Sequence, residues 1–197
     1  MIKEIKVTLL GDSGVGKSSI VNRFCFSKFN DKNKVSPAAD YFSKEIQLEG
    51  NIIKFQMWDT AGQEQFRSLV PLYLRNSQVA IIVYDITQKS SFIALKEWII
   101  NLEQVCSRNL IFILVGNKCD LIDQEAVTYD EAKQYSYQLQ ALFQYTSCKT
   151  NDGIEDLFRI IAGEYLKQEE ELKNQQNTNH KQNSKLSIEK NYYSSCC

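Results

Sequence analysis

Histidine occurs once, at His180, and no two of the six cysteines have Cys-x-x-Cys spacing, so the 197-residue chain lacks the ligands of a structural zinc site. The thiols at Cys25, Cys106, Cys119, Cys148, Cys196 and Cys197 read as reduced groups of a cytosolic protein. An excess of either charge is missing as well. Lys and Arg number 23 and Asp and Glu 24, a formal net charge of -1 with no basic stripe for nucleic acid. Any anion must therefore be held locally. No apolar run approaches the ~20 residues of a membrane span. Lys3, Glu4 and Lys6 lead directly into the first apolar run and leave no room for a signal peptide. Contact with a membrane would need an anchor. No internal repeat is present.

Short apolar runs rich in β-branched and aromatic residues recur at Ile5–Leu10, Phe42–Leu48, Ile52–Trp58, Val79–Tyr84, Leu110–Val115 and Ala141–Tyr145. Segments of helical pattern lie between most of them, at Gly16–Phe26, Ser90–Val105, Thr128–Gln140 and Asp152–Leu172. This alternation predicts an α/β fold with a six-stranded, mostly parallel, doubly wound sheet. Only Glu49-Gly50-Asn51 joins the second and third runs, so one strand should pair antiparallel through a hairpin. Phe92, Leu95, Ile99 and Leu102 share one helical face and read as core. Beyond Lys173 the composition turns to Asn, Gln, Lys and Ser, too polar to fold alone. The organisation expected is a folded domain over 1–172 and a disordered tail over 173–197.

Gly11-Asp12-Ser13-Gly14-Val15-Gly16-Lys17-Ser18 follows the first strand and satisfies G-x-x-x-x-G-K-[ST]. Glycines let successive backbone N–H groups converge on phosphates, and the helix expected over Gly16–Phe26, with Ser18 and Ser19 in its first turn, points its positive end at the same charge. Lys17 supplies a point charge for the β- and γ-phosphates, and the Ser18 hydroxyl can ligate Mg²⁺. Such a loop serves ATPases, nucleotide kinases and GTPases alike. The base is chosen by Asn117-Lys118-Cys119-Asp120, at the carboxyl end of another strand. The Asp120 carboxylate can accept two hydrogen bonds from guanine's ring N–H and exocyclic amine, which adenine cannot offer.

With Trp58-Asp59-Thr60-Ala61-Gly62-Gln63-Glu64 and Ile82-Val83-Tyr84-Asp85-Ile86-Thr87, these motifs resemble the Ras superfamily of small GTPases, most of all its Rab branch. The resemblance covers roughly residues 3–167 and implies the three-layer P-loop GTPase fold, with helices on both faces of the sheet. It implies GTP and GDP as ligands and Mg²⁺ as cofactor, with metal ligation by Ser18, Ser36 and, through a water, Asp59. The Gly62 N–H would bond the γ-phosphate and Gln63 would orient the attacking water. Ser147-Cys148-Lys149 stands where the family has Ser-Ala-Lys and contacts the base largely through backbone. Phe29 and Lys118 would cover the two faces of guanine.

Ser36 replaces the family's switch Thr, keeping the hydroxyl without the methyl, and Pro37 restrains it towards extended backbone. A nucleotide-bound scaffold with little turnover is the competing reading that this raises. An ATP-dependent kinase is opposed by Asp120 and by the lack of an Arg-rich lid. No arginine in the nucleotide loops is an evident internal finger, which predicts slow hydrolysis and need of an activating protein. Loss of the γ-phosphate would release Ser36 and the stretch 59–75.

The chain closes on Cys196-Cys197, the dual-prenylation pattern of Rabs, and carries no C-a-a-X signal. Two lipids anchor where one does not. The resemblance further implies exchange factors, prenylation escort and GDP-dissociation-inhibitor proteins. It implies effectors that read Tyr41, Trp58 and Tyr73, although partial core burial would equally explain Trp58 and Tyr73. Residues 68–77 are similar to Golgi and endosomal Rabs, which predicts the cytoplasmic face of such a membrane together with a cytosolic pool.

Overall fold

The computed structural model describes residues 2–29, 40–60, 70–103 and 110–193. Six strands form one sheet: β1 (Ile2–Leu10), β2 (Asp40–Leu48), β3 (Asn51–Asp59), β4 (Val79–Asp85), β5 (Ile111–Asn117) and β6 (Leu142–Thr146). Their order is β2-β3-β1-β4-β5-β6, with β2 antiparallel to β3 and every other pair parallel. Leu48 pairs with Asn51 across a two-residue turn in which Glu49 and Gly50 have φ of 50° and 74°. Positive φ at both positions matches the right-handed twist of the flanking strands.

The helices are α1 (Lys17–Phe26), α2 (Val70–Leu74), α3 (Lys89–Ile93), α4 (Leu95–Glu103), α5 (Tyr129–Gln138) and α6 (Ile154–Tyr193). On one face of the sheet Phe24 of α1 stacks on Phe158 of α6, centroids 3.6 Å apart, and both meet Phe55 of β3 edge-on. On the other face Leu95, Trp98 and Ile99 of α4 and Ala132 of α5 pack on Leu10, Ile82, Tyr84 and Leu114. Alternate residues of each central strand thus serve opposite layers, and each fully buried apolar side chain contributes about 1.5–3 kcal/mol. The Thr128 side chain accepts from the Glu131 N–H and starts α5 as a Thr-x-x-Glu cap.

Two helical expectations are corrected. The helix expected over Ser90–Val105 is divided at Ala94, whose carbonyl is shared between the amides of Glu97 (3.1 Å) and Trp98 (3.4 Å). That tight turn is compatible with 3.6-residue periodicity, so the pattern runs through it. Trp98, outside the expected face, is the largest fully buried side chain, while Phe92 is partly buried and the Leu102 side chain lies outside the described set. The second correction concerns the end of the chain. The helix expected over Asp152–Leu172 starts at Ile154, and its backbone continues to Tyr193. No Pro or Gly follows Gly163 to end a helix once it is nucleated. The chain divides into two units, Met1–Ala162 and Gly163–Cys197. The first holds the sheet and its core. The second is polar, with a Lys173 to Glu169 ion pair one turn apart.

Candidate functional site

The loop from Gly11 to Gly16 leaves the carboxyl end of β1 and is pressed against its neighbours. A Cβ on Gly11 would lie 2.2 Å from the Val83 carbonyl oxygen, and one on Gly16 would lie 2.2 Å from Asn117 Nδ2. Both have left-handed φ, 134° and 103°, so no other residue fits either place. Val15 is buried beneath the loop, while Ser13 and Gly14 form its exposed crest. The first intrahelical bond of α1 runs from the Ile20 N–H to Gly16 O, so Lys17, Ser18 and Ser19 form the N-terminal turn, the positive end of the helix dipole.

Lys17 lies under the loop, and its Nζ donates to the carbonyls of Gly11 and Asp12, each at 2.8 Å. Burial pushes its pKa down to about 8, against the opposing pull of Asp59 and Asp12. The Asp12 side chain is itself held: Oδ1 accepts from the indole N–H of Trp98 at 2.9 Å.

Asp59 closes β3 at 1% exposure, and the next residue is fixed by Thr60 Oγ1 donating to Leu9 O at 2.6 Å. A carboxylate and the Ser18 hydroxyl are hard oxygen donors that fit Mg²⁺ better than a soft transition metal. Among the described residues no group of three His, Cys, Asp or Glu could hold a metal alone.

Asn117 ends β5 and is a cross-tie. Its Nδ2 donates to Val15 O at 2.8 Å, and its Oδ1 accepts from Thr146 Oγ1 at 3.0 Å and from the Cys148 thiol at 3.5 Å. The buried carboxamide thus joins the glycine loop to the segment after β6. Lys118 adopts left-handed φ, 68°, and its ammonium pairs with Asp85, which is 1% exposed. Ser147 Oγ donates to Asp120 Oδ1 at 2.6 Å and accepts from the Thr150 N–H at 3.1 Å, steadying the carboxylate and leaving its second oxygen for a ligand. Cys148 is buried, and burial pushes its thiol up to about 12, so it packs as a neutral group. Lys149 is exposed, but its carbonyl accepts from Arg23, as does that of Cys148. Arg23 also lies 5.9 Å from the centroid of the Phe29 ring, which is 36% exposed.

Tyr41 and Trp58 face each other across the β2–β3 register, ring centroids 5.4 Å apart. Tyr41 is half exposed and Trp58 partly buried, with Lys6 Nζ 5.7 Å from its ring. Tyr73 of α2 is partly buried, and its carbonyl accepts from Thr8 Oγ1, whose residue pairs with Trp58 in the sheet. Ser36, Gly62, Gln63, Cys196 and Cys197 lie outside the described residues.

Two residues of the site carry no motif, Trp98 and Arg23, while Asp85 lies in a quoted motif but had no role assigned before its pairing with Lys118. Leu95, Trp98 and Ile99 follow helical spacing, which is the signal that could have placed Trp98 on the inner face. Arg23 binds residues 125 and 126 positions away, a pairing with no local signal.

Residues 6–167 match the family model of the Ras family. The chain is 46% identical over 161 residues to Ras-related protein Rab-22A of Homo sapiens, covering 82% of this chain and 83% of the relative. It is 44% identical to Ras-related protein Rab-31 of Homo sapiens and 45% to that of Rattus norvegicus, with the same coverage of both chains in each case.

Proposed function

Because this chain belongs to the Ras family, in its Rab branch, it is a small GTPase of membrane traffic, and we propose how its residues divide the work. Guanine is taken by Asp120 through the ring N–H and the exocyclic amine, with Phe29 and Lys118 on the two ring faces. Asp12, Ser13, Gly14, Val15, Gly16, Lys17, Ser18 and Ser19 wrap the phosphates, and Lys17 charges fully as it meets them. What supports this most is the Asn117 cross-tie, which joins Val15 of the glycine loop to Thr146 and Cys148 beside Asp120. One nucleotide spanning base and phosphate sites suits such a pair of joined loops.

Ser18, Ser36 and, through water, Asp59 would hold Mg²⁺, which when bound neutralises charge on the β- and γ-phosphates. Gln63 orients the attacking water and the Gly62 N–H bonds the γ-phosphate. The chain supplies no evident arginine to the transferred group, so intrinsic hydrolysis is slow and an activating protein accelerates it. Exchange factors reload GTP. When the γ-phosphate leaves, Ser36 and the stretch 59–75 lose ligands, and effectors reading Tyr41, Trp58 and Tyr73 detach.

The 173–197 tail carries Cys196 and Cys197 as a dual prenyl anchor, handled by escort and GDP-dissociation-inhibitor proteins. It places the protein on the cytoplasmic face of a Golgi or endosomal membrane, with a cytosolic pool. Among the described residues no helix is long and apolar enough to cross a membrane. The deciding experiment measures Asp120→Asn against GDP and xanthosine diphosphate, where the amide should cost several kcal/mol with GDP and admit xanthine. Unchanged guanine preference removes Asp120 from the base site.

A further inference from the structure

Arg23 stands in the last turn of α1, where a basic residue complements the helix dipole, yet its side chain reaches well past the helix. Nε donates to the Cys148 carbonyl at 2.7 Å, Nη2 to the Lys149 carbonyl at 2.9 Å and Nη1 to the Ser27 carbonyl at 3.1 Å. The Phe29 ring lies within cation–π reach. Among the described residues all of its hydrogen bonds go to neutral carbonyls, so geometry rather than charge pairing accounts for its placement. Only a planar guanidinium offers several fixed donors to successive carbonyls at once.

We infer that Arg23 is a positioning residue of the base site, fixing the peptides after Ser147 and the Phe29 ring together and so setting guanine selectivity and nucleotide residence time. This rests on the nucleotide-site reading above. A trans peptide holds its N–H antiparallel to its C=O, so clamping the Cys148 carbonyl directs the Lys149 N–H to the opposite side of the loop. Backbone N–H donors there can pair only with acceptors of guanine, such as its 6-oxo group. The second clamp continues further. The Lys149 carbonyl shares its peptide with the Thr150 N–H, which donates to Ser147 Oγ, and that hydroxyl donates to Asp120 Oδ1. Arg23 thus ends a hydrogen-bonded chain whose other end is the carboxylate that reads the 2-amino edge, and each bond in such a chain polarises the next. The third clamp, on Ser27, ties the same guanidinium to the segment that carries Phe29.

The test uses the full chain with Arg23→Gln and Arg23→Lys. The lysine variant keeps the helix-end charge and loses the fork, and it carries the test should the glutamine variant not fold. GDP release is timed with a fluorescent analogue. Affinities are then compared for GDP, inosine diphosphate, which lacks the 2-amino group, and the 2-aminopurine diphosphate, which lacks the 6-oxo group. Both variants should release GDP about tenfold faster, the scale of one lost charge-assisted bond, and should discriminate several-fold less against each analogue. Restoration of release rate and selectivity by Lys overturns the inference. So does wild-type selectivity with only a lowered melting temperature, since either would make Arg23 a helix cap. A wild-type chain that fails to bind GDP overturns the site reading itself, and this inference falls with it.

Discussion

Trp98 and Asp12 are 86 residues apart, and their hydrogen bond joins α4 to the glycine loop. Replacing Trp98 by Phe keeps an aromatic ring in a site that is 1% exposed and removes the only N–H the side chain has. The lost bond to a carboxylate is worth about 1.5–3 kcal/mol. The smaller ring leaves unfilled volume costing about 1 kcal/mol more. The expected total, about 3 kcal/mol, is a large share of the 5–15 kcal/mol that holds a domain folded. At roughly 2–4 °C per kcal/mol for a chain of this size, melting should fall by about 6–12 °C. Packing and hydrogen bonding are separated by a double-mutant cycle with Asp12→Ala, read by urea unfolding at saturating GDP. If the bond carries the effect, Trp98→Phe costs only its packing loss once Asp12 is gone, and the coupling is the bond's own about 1.5–3 kcal/mol. Additivity within about 0.5 kcal/mol would show that the indole contributes as a hydrophobe alone.

Lys17 is held down to about pKa 8 by burial, and bound phosphates should restore its charge, so GDP binding takes up a proton above pH 8. Affinity is therefore fully present below pH 8 and falls by up to about tenfold per unit above it. Calorimetry at pH 8.5 in two buffers of different ionisation enthalpy reads this, and absence of proton uptake would refute it. In Gly116→Ala the new Cβ would lie 2.5 Å from Tyr145 Cε1 and 2.7 Å from Tyr84 Oη, so the partly buried Tyr145 and the buried Tyr84 must shift. A loss of about 1–3 kcal/mol is expected by thermal melting. Thr128→Ala removes the cap of α5 and should cost about 1 kcal/mol, and an unchanged melting temperature would show the cap to be idle.

The sequence patterns made the sheet legible because each strand is an apolar run with its own period, and Glu49-Gly50 left no room for anything but a hairpin. The phosphate loop was legible because three glycines and Lys17 are local. The order of the strands was not, since no periodicity says that β1 lies between β3 and β4. Asn117 shows the same limit within the site. Its place in Asn-Lys-x-Asp is a local signal, while the partners of its amide, Val15, Thr146 and Cys148, are not local, the first of them lying 102 residues away. The break at Ala94 escaped because a tight turn preserves the apolar face, and the helix beyond Leu172 escaped because it has no apolar face to announce it.

The Asn117 cross-tie also has a consequence for avidity. With the loop proposed to meet phosphate and the loop proposed to meet the base bonded through one buried amide, GDP would act as a two-ended ligand on a rigid host. Once one end is seated, the other is presented at an effective concentration set by the span between the loops rather than by the solution. Guanosine and pyrophosphate offered as separate molecules should then bind far more weakly than their covalent union. Asn117→Ala should narrow that gap, because losing the bond to Val15 lets the two halves of the host drift apart, while the bonds from Thr146 and Cys148 are lost within one half.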